Sequence, residues 1–159
     1  MKSAWVIKFM TYWPPFLGAG ISVKNVAEDF TSLDVELKLR PWNSNYVGTH
    51  FGGSLYAMTD PFMMLMLLEN LGKDYIVWDK AANIRFKKPG KGCVRAHFEL
   101  TSEQLLSIKE QADNQYKVEP SFLIPVIDEG GEVVAEVEKI LYVRRKDRKP
   151  ESKILKDAS

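Results

Sequence analysis

Gly52-Gly53-Ser54-Leu55-Tyr56-Ala57-Met58-Thr59-Asp60-Pro61-Phe62-Met63-Met64-Leu65-Met66-Leu67-Leu68-Glu69-Asn70-Leu71 is the most apolar stretch of this 159-residue chain. Apolar side chains on almost every side of the helical wheel predict a buried helix over residues 54–71, with Glu69 and Asn70 at its end. Pro61 lacks an N–H to bond the Ala57 carbonyl and crowds that turn, so the spacing predicts one helix bent near Pro61.

On either side the period changes from helical to two. Val35, Leu37 and Leu39 alternate with Asp34, Glu36, Lys38 and Arg40, which predicts a strand over 33–40 with one wet face, after another over 21–29. Residues 75–88 read as extended, with Trp78, Ala82, Ile84 and Phe86 on one face, and Pro89-Gly90-Lys91-Gly92 turns the chain into a strand where Val94, Ala96, Phe98 and Leu100 face inward. His97 then faces water. Thr101-Ser102-Glu103-Gln104 has a helix-start pattern for a polar helix ending near Asn114, and strands at about 116–127 and 132–144 meet at Asp128-Glu129-Gly130-Gly131. At the N-terminus Trp5, Phe9, Tyr12 and Trp13 fall at helical spacing before Pro14-Pro15, which are expected to stop a short covering helix. Short hairpins mean antiparallel pairing, and only one helix is apolar enough to be wrapped by the sheet. The expected class is α+β: a curved antiparallel sheet around a central α-helix. The chain reads as one domain over 1–159, with 1–17 as the covering helix and 146–159 as a charged, solvated tail.

The bulk numbers limit the function. With 45% hydrophobic and 27% charged residues the chain can bury one core, and 22 Lys and Arg against 21 Asp and Glu leave no field to hold nucleic acid. The single Cys93 permits no intrachain disulfide and suits a reducing compartment, so a cytoplasmic location is expected. Lys8 and Pro14-Pro15 interrupt the apolar N-terminus, and no run reaches the ~18 apolar residues of a membrane span. Two distant histidines and one cysteine cannot make a zinc cluster, and no phosphate-binding loop, dinucleotide fingerprint or nucleophile elbow is present. No metal and no cofactor is expected.

Residues 45–61 carry the chemistry. A glycine pair opening a buried helix leaves backbone N–H groups that a thioester carbonyl can approach, with Gly53 the first oxyanion donor. The carboxylate of Asp60 can attack the thioester or deprotonate a water. Simpler roles exist for each residue. Asp60 before Pro61 has the pattern of an N-cap followed by a proline at the first helical position. His50 can serve as a loop hydrogen-bonder, Gly52-Gly53 can permit close packing, and the methionines can be core or line an acyl tunnel. Arg85, Lys87, Lys88 and Lys91 read as a solvated strand end rather than a phosphate site.

The segment Gly48-Thr49-His50-Phe51-Gly52-Gly53-Ser54-Leu55-Tyr56-Ala57-Met58-Thr59-Asp60-Pro61 resembles hotdog-fold acyl-CoA thioesterases of the phenylacetate-pathway type. In these a His-Gly-Gly loop enters the central helix and an acidic residue seven positions after the second glycine is catalytic. More closely, with the Trp13-Pro14-Pro15-Phe16-Leu17-Gly18-Ala19-Gly20-Ile21 start, the chain resembles a bacterial hotdog subfamily of unknown function, DUF4442-like. Phe51 between His50 and Gly52, and Pro61 after the acid, depart from the thioesterase pattern. The resemblance implies a hotdog fold and an acyl-CoA or acyl-carrier-protein substrate. It implies Asp60, Gly53 and His50 as catalytic residues and Gly52, Ser54 and Asn45 as substrate contacts. Its alternatives are a hotdog domain that binds an acyl thioester or lipid-like ligand without turnover, and a hydratase or dehydratase. It also implies a homodimer, with a dimer of dimers as a further assembly. On one continuous helix, seven residues at 100° return Asp60 to within ~20° of the face of Gly53 but ~10 Å along the axis, so antiparallel helices of two subunits would share the site.

Overall fold

The computed structural model describes residues 4–148. The charged tail from residue 149 onward lies outside the described residues. The chain runs α1 (Ala4–Phe9), a 3-10 turn (Met10–Tyr12), α2 (Pro14–Ala19), β1 (Ile21–Lys24), β2 (Ser32–Lys38), α3 (Gly52–Ala57), α4 (Phe62–Leu71), β3 (Tyr75–Phe86), β4 (Cys93–Glu99), α5 (Ser102–Asn114), β5 (Ser121–Ile127) and β6 (Val133–Arg145). All six strands join one antiparallel sheet in the order β1-β2-β4-β5-β6-β3. It curls into a half-barrel around the apolar helix, which is the hotdog fold.

Alternation places the core. Leu33, Val35 and Leu37 of β2, Val94, Ala96 and Phe98 of β4, and Phe122, Ile124 and Val126 of β5 are buried against Phe62, Met63, Met66 and Leu67 of α4. Phe62 joins the helix to the sheet through Phe98, at 5.3 Å between ring centres, and to α2 through Phe16, at 5.8 Å. α5 begins as its sequence predicts. Thr101 caps the Gln104 N–H at 3.1 Å, while the Gln104 side chain accepts the Thr101 N–H at 3.0 Å.

Several expectations change. The central helix is two elements, since residues 58–61 form a turn and helix resumes only at Phe62. There the Thr59 N–H and hydroxyl both bond the Tyr56 carbonyl, at 2.9 and 2.7 Å, and the Asp60 N–H bonds Ala57 at 3.2 Å. These tight bonds close α3, and Pro61 has no N–H with which to continue it. The N-terminal helical segment ends at Tyr12 with Trp13 extended, as expected before a proline, but Pro14-Pro15 then open a further helix, α2, because a proline in the first turn gives up only an N–H that has no helical partner. In β3 a bulge between Asp79 and Ala81 reverses the faces: Trp78 stacks on Tyr142 outside, ring centres 4.1 Å apart, whereas Ala82, Ile84 and Phe86 stand opposite Lys139, Val137 and Ala135 of the inner row. Trp78 therefore does not share their face. β1 and β5 are also shorter than expected, with only an isolated bridge from Val118 to Val143 ahead of β5.

Candidate functional site

Asp60 lies in the break between α3 and α4. Its side chain is 43% exposed. The N-cap of α4 is Pro61, without a side-chain cap bond, so Asp60 does not cap the helix as its place before proline suggested. Its Oδ1 instead accepts a hydrogen bond of 2.6 Å from Nζ of Lys139. Lys139 is fully buried. It stands in the inward row of β6 with Val137, Leu141 and Val143, so the sheet's own alternation drives its ammonium into the core.

A buried ammonium needs partners, and three groups surround this one. Besides Asp60, Oδ1 of Asp79 lies 3.0 Å from Nζ and the Tyr56 hydroxyl 3.4 Å away, with Nζ 5.2 Å from the centre of the Tyr56 ring. The Asp79 contact is an ion pair outside hydrogen-bond geometry, which leaves that buried oxygen without a hydrogen bond. Burial opposes the charge of Lys139, but the carboxylates of Asp60 and Asp79 outweigh it and hold its pKa above that of an ordinary lysine. Burial pushes the Asp79 carboxyl up, against the pull of Lys139. Among the described residues no hydrogen bond reaches Oδ2 of Asp60, and the Asp60 carboxylate stands close enough to Asp79 to push that carboxyl further up.

The glycine pair lies at the first turn of α3, where no hydrogen bond among the described residues takes the Gly52 or Gly53 N–H. Two phenyl rings flank it. A Cβ on Gly52 would come within 3.0 Å of the Phe86 ring and one on Gly53 within 2.5 Å of the Phe51 ring, so close packing is one reason for glycine here. Ser54 sits in the same turn, its N–H on the Phe51 carbonyl at 2.9 Å.

His50 and Asn45 sit elsewhere. His50 is 4% exposed, its Nε2 3.1 Å from the Gly92 carbonyl and its backbone N–H on the Gly90 carbonyl at 2.9 Å. Burial lowers its pKa, so the neutral ring donates to Gly92 and ties the loop to the β3–β4 turn. Asn45 folds the same loop, accepting the Val47 and Thr49 N–H groups and donating to Thr49 Oγ1 at 2.8 Å. His50, Asn45 and Gly52 line a cleft of about 420 Å³ to which Asp60 does not contribute. Of the neighbouring cations, Lys87 pairs with Glu136 at 2.9 Å and Lys88 with Asp128 at 2.6 Å and with Glu132. His97 is exposed as expected and pairs with Asp34 at 2.7 Å. No cluster of metal-binding side chains occurs, and no helix is long and apolar enough to cross a membrane, among the described residues.

Lys139 and Asp79 lie far in sequence from Asp60 and meet it only when β3, β6 and α3 pack, whereas Tyr56 sits within the motif segment but shows its role only once Lys139 is placed beside it. The sequence does carry one signal: a lysine at the inward position of Val137-Glu138-Lys139-Ile140-Leu141, where the strand period calls for an apolar side chain.

Comparison with known proteins agrees with this architecture. The family model described as "Domain of unknown function (DUF4442)" matches residues 2–143. The chain belongs to the DUF4442 family. No curated protein matches it. Among solved structures, this DUF4442 chain is similar to a Pseudomonas aeruginosa protein of unknown function called a probable thioesterase, with TM-score 0.76 at 21% identity, covering 88% of this chain and 94% of that one. A thioesterase from Haemophilus influenzae aligns with TM-score 0.65 at 13% identity over 91% and 92% of the two chains. The PaaI protein of the E. coli phenylacetic acid degradation operon aligns with TM-score 0.59 at 16% identity over 89% and 92%. At such identities the likeness establishes the hotdog fold of this DUF4442 chain, and its chemistry has to be argued from its own residues.

Proposed function

We propose that this protein hydrolyses an acyl thioester of coenzyme A or acyl-carrier protein, with Asp60 as general base or nucleophile. The observation that carries the reading is a partly exposed carboxylate, fixed at one oxygen by a wholly buried ammonium, at a break in the central helix. A fixed carboxylate loses little orientational freedom on reaction. As base it takes a proton from water; the hydroxide adds to the thioester carbonyl, the C–S bond breaks and the thiol leaves with a proton. As nucleophile it attacks the thioester carbonyl, the C–S bond breaks and the thiolate leaves and takes a proton from solvent, and water then opens the resulting acyl-carboxylate anhydride to the free acid and the regenerated carboxylate. In either path the carbonyl oxygen gains charge, and the unpaired N–H of Gly53 is the proposed donor, beside Gly52 and Ser54 as substrate contacts. Thioesterases among the structurally similar proteins support the class of reaction.

The site is proposed to be shared between two copies. Because the chain leaves the helix at residues 58–61, counting 100° per residue no longer sets the angle of Asp60 relative to Gly53. Support comes instead from the sheet edge. β3 is a twelve-residue edge strand whose Ala81, Ala82 and Asn83 are exposed, and an open edge of that length invites a second strand. Pairing two such edges about a two-fold axis gives two equivalent sites.

Binding of an acyl thioester without turnover is the second reading, favoured by the Phe86 ring, which a Cβ on Gly52 would meet at 3.0 Å and which explains that glycine by packing alone. A hydratase gains no support, since His50 is spent on Gly92. The test is steady release of free thiol from a panel of acyl-CoA thioesters by the purified protein. Multiple turnovers support hydrolysis; saturable binding without thiol release supports the second reading.

A further inference from the structure

The N-terminal segment leaves an apolar cavity against α4 that the chemistry above does not use. It measures about 620 Å³, with Met10, Tyr12 and Trp13 on one wall and Pro61, Leu65 and Leu68 on the other. Asp60 itself does not line it, and the two are tied by chain position. Its helix wall begins at Pro61, the residue bonded to Asp60, and continues at the fourth, seventh and eighth positions beyond, the spacing of one helix face. That wall is ~12 Å long, from eight residues rising ~1.5 Å each, the run of a medium-length alkyl chain.

The lining defines the ligand. Glu69 at the far end is the only charged side chain on it among the described residues, so the cavity suits an unbranched hydrocarbon rather than a ligand carrying a distal anion. The N-terminal wall leaves apolar surface in water, with Phe9 52%, Tyr12 67% and Trp13 50% exposed. Covering such surface with hydrocarbon is favourable in proportion to the area removed from water.

We infer that this cavity is the acyl subsite: the hydrocarbon of a medium- or long-chain thioester lies between the N-terminal helical segment and α4, its carbonyl end at Asp60. This rests on the thioesterase reading for the headgroup, and it makes residues 7–14 determinants of chain length.

A test that does not depend on turnover compares S-dodecyl-CoA with S-ethyl-CoA, both non-hydrolysable thioethers, by titration calorimetry. A methylene moved out of water is worth about fourfold in affinity, so burial of even four gives about a two-hundredfold preference for the longer chain. Tyr12→Glu, at an exposed position that folding tolerates, puts a charge on one wall, and Leu65→Trp fills the other. Each is expected to cut that preference at least tenfold. A wild-type preference under threefold overturns the subsite, as does a preference that survives in whichever variants fold. Binding to phosphatidylglycerol vesicles, lost in Tyr12→Glu while the alkyl preference stays, overturns it in favour of a membrane-facing surface. Dissociation of a dimer by Tyr12→Glu with the preference unchanged assigns the face to a second copy and overturns it too. If dodecanoyl-CoA is bound with the preference intact but never hydrolysed, the subsite stands and the thioesterase reading falls. Hydrolysis indifferent to chain length does the reverse.

Discussion

Replacing Lys139 with methionine should be among the most damaging single changes in this chain, and the reason is local. Nζ lies 2.6 Å from Asp60 and 3.0 Å from Asp79, each contact giving about 6 kcal/mol of attraction at an effective dielectric constant of about 20. Withdrawing the ammonium from water offsets several kcal/mol of this, so the intact cluster is a modest net stabiliser. Methionine fills the same volume but leaves two carboxylates facing each other without a cation, a loss of about 3–5 kcal/mol. For a chain this long that is a fall of about 6–20 °C in Tm. Urea unfolding followed by circular dichroism, with calorimetry for Tm, measures it. The triple variant Asp60→Asn, Asp79→Asn, Lys139→Met carries no charge at the cluster and should regain most of the loss. The sign with pH is fixed as well. Because the folded pKa of Lys139 is raised, its contribution is complete below the ordinary value of 10.5 and is lost as pH rises through the folded one, so the wild type should lose stability above about pH 10 by a step that Lys139→Met lacks. A Lys139→Met protein within about 1 kcal/mol of wild type would mean that the ammonium does not hold the two carboxylates together.

Two further outcomes follow from other parts of the molecule. Mixing Asp60→Ala with Gly53→Trp, each folded and inactive, should return up to about a quarter of normal activity once subunits exchange, because half the dimers are mixed and one of their two sites is whole; no recovery despite exchange excludes a shared site. Asp113, hydrogen-bonded by Tyr75, Lys109 and Arg145, has its carboxyl held down at about 2. Its contribution is present above the ordinary 3.8 and lost as pH falls through about 2, so the stability gap between wild type and Asp113→Asn should close across that window in acid-unfolding curves.

Local pattern was enough for an antiparallel sheet around a central helix, and the resemblance in residues 48–61 supplied the hotdog fold. Alternation in β2 and β4, the Thr101 cap and the apolar run of α4 each specify an element without help from elsewhere. What alternation missed came from backbone events that no side-chain period records. The bulge at Asp79 moves Trp78 to the opposite face from Ala82, and the Thr59 and Asp60 bonds to residues 56 and 57 end α3 before Pro61 can merely bend it. The candidate site divides in the same way. Asp60, Gly52 and Gly53 were legible because loop, helix start and acid are contiguous. Lys139 and Asp79 were not, since strands distant in sequence bring them to Asp60. His50 lay in the right segment, yet burial and the Gly92 carbonyl give it a tethering role.

The catalytic assignment of Asp60 is tested most directly by the hydrolysis of one good acyl-CoA substrate by wild type and Asp60→Asn, with Tm recorded for both. Asparagine keeps the shape and can still accept the Lys139 hydrogen bond, but it can neither take a proton nor attack. The variant should fold, with kcat lower by about a hundredfold or more, the scale of a lost acid–base group. Equal kcat in the two proteins would contradict the assignment.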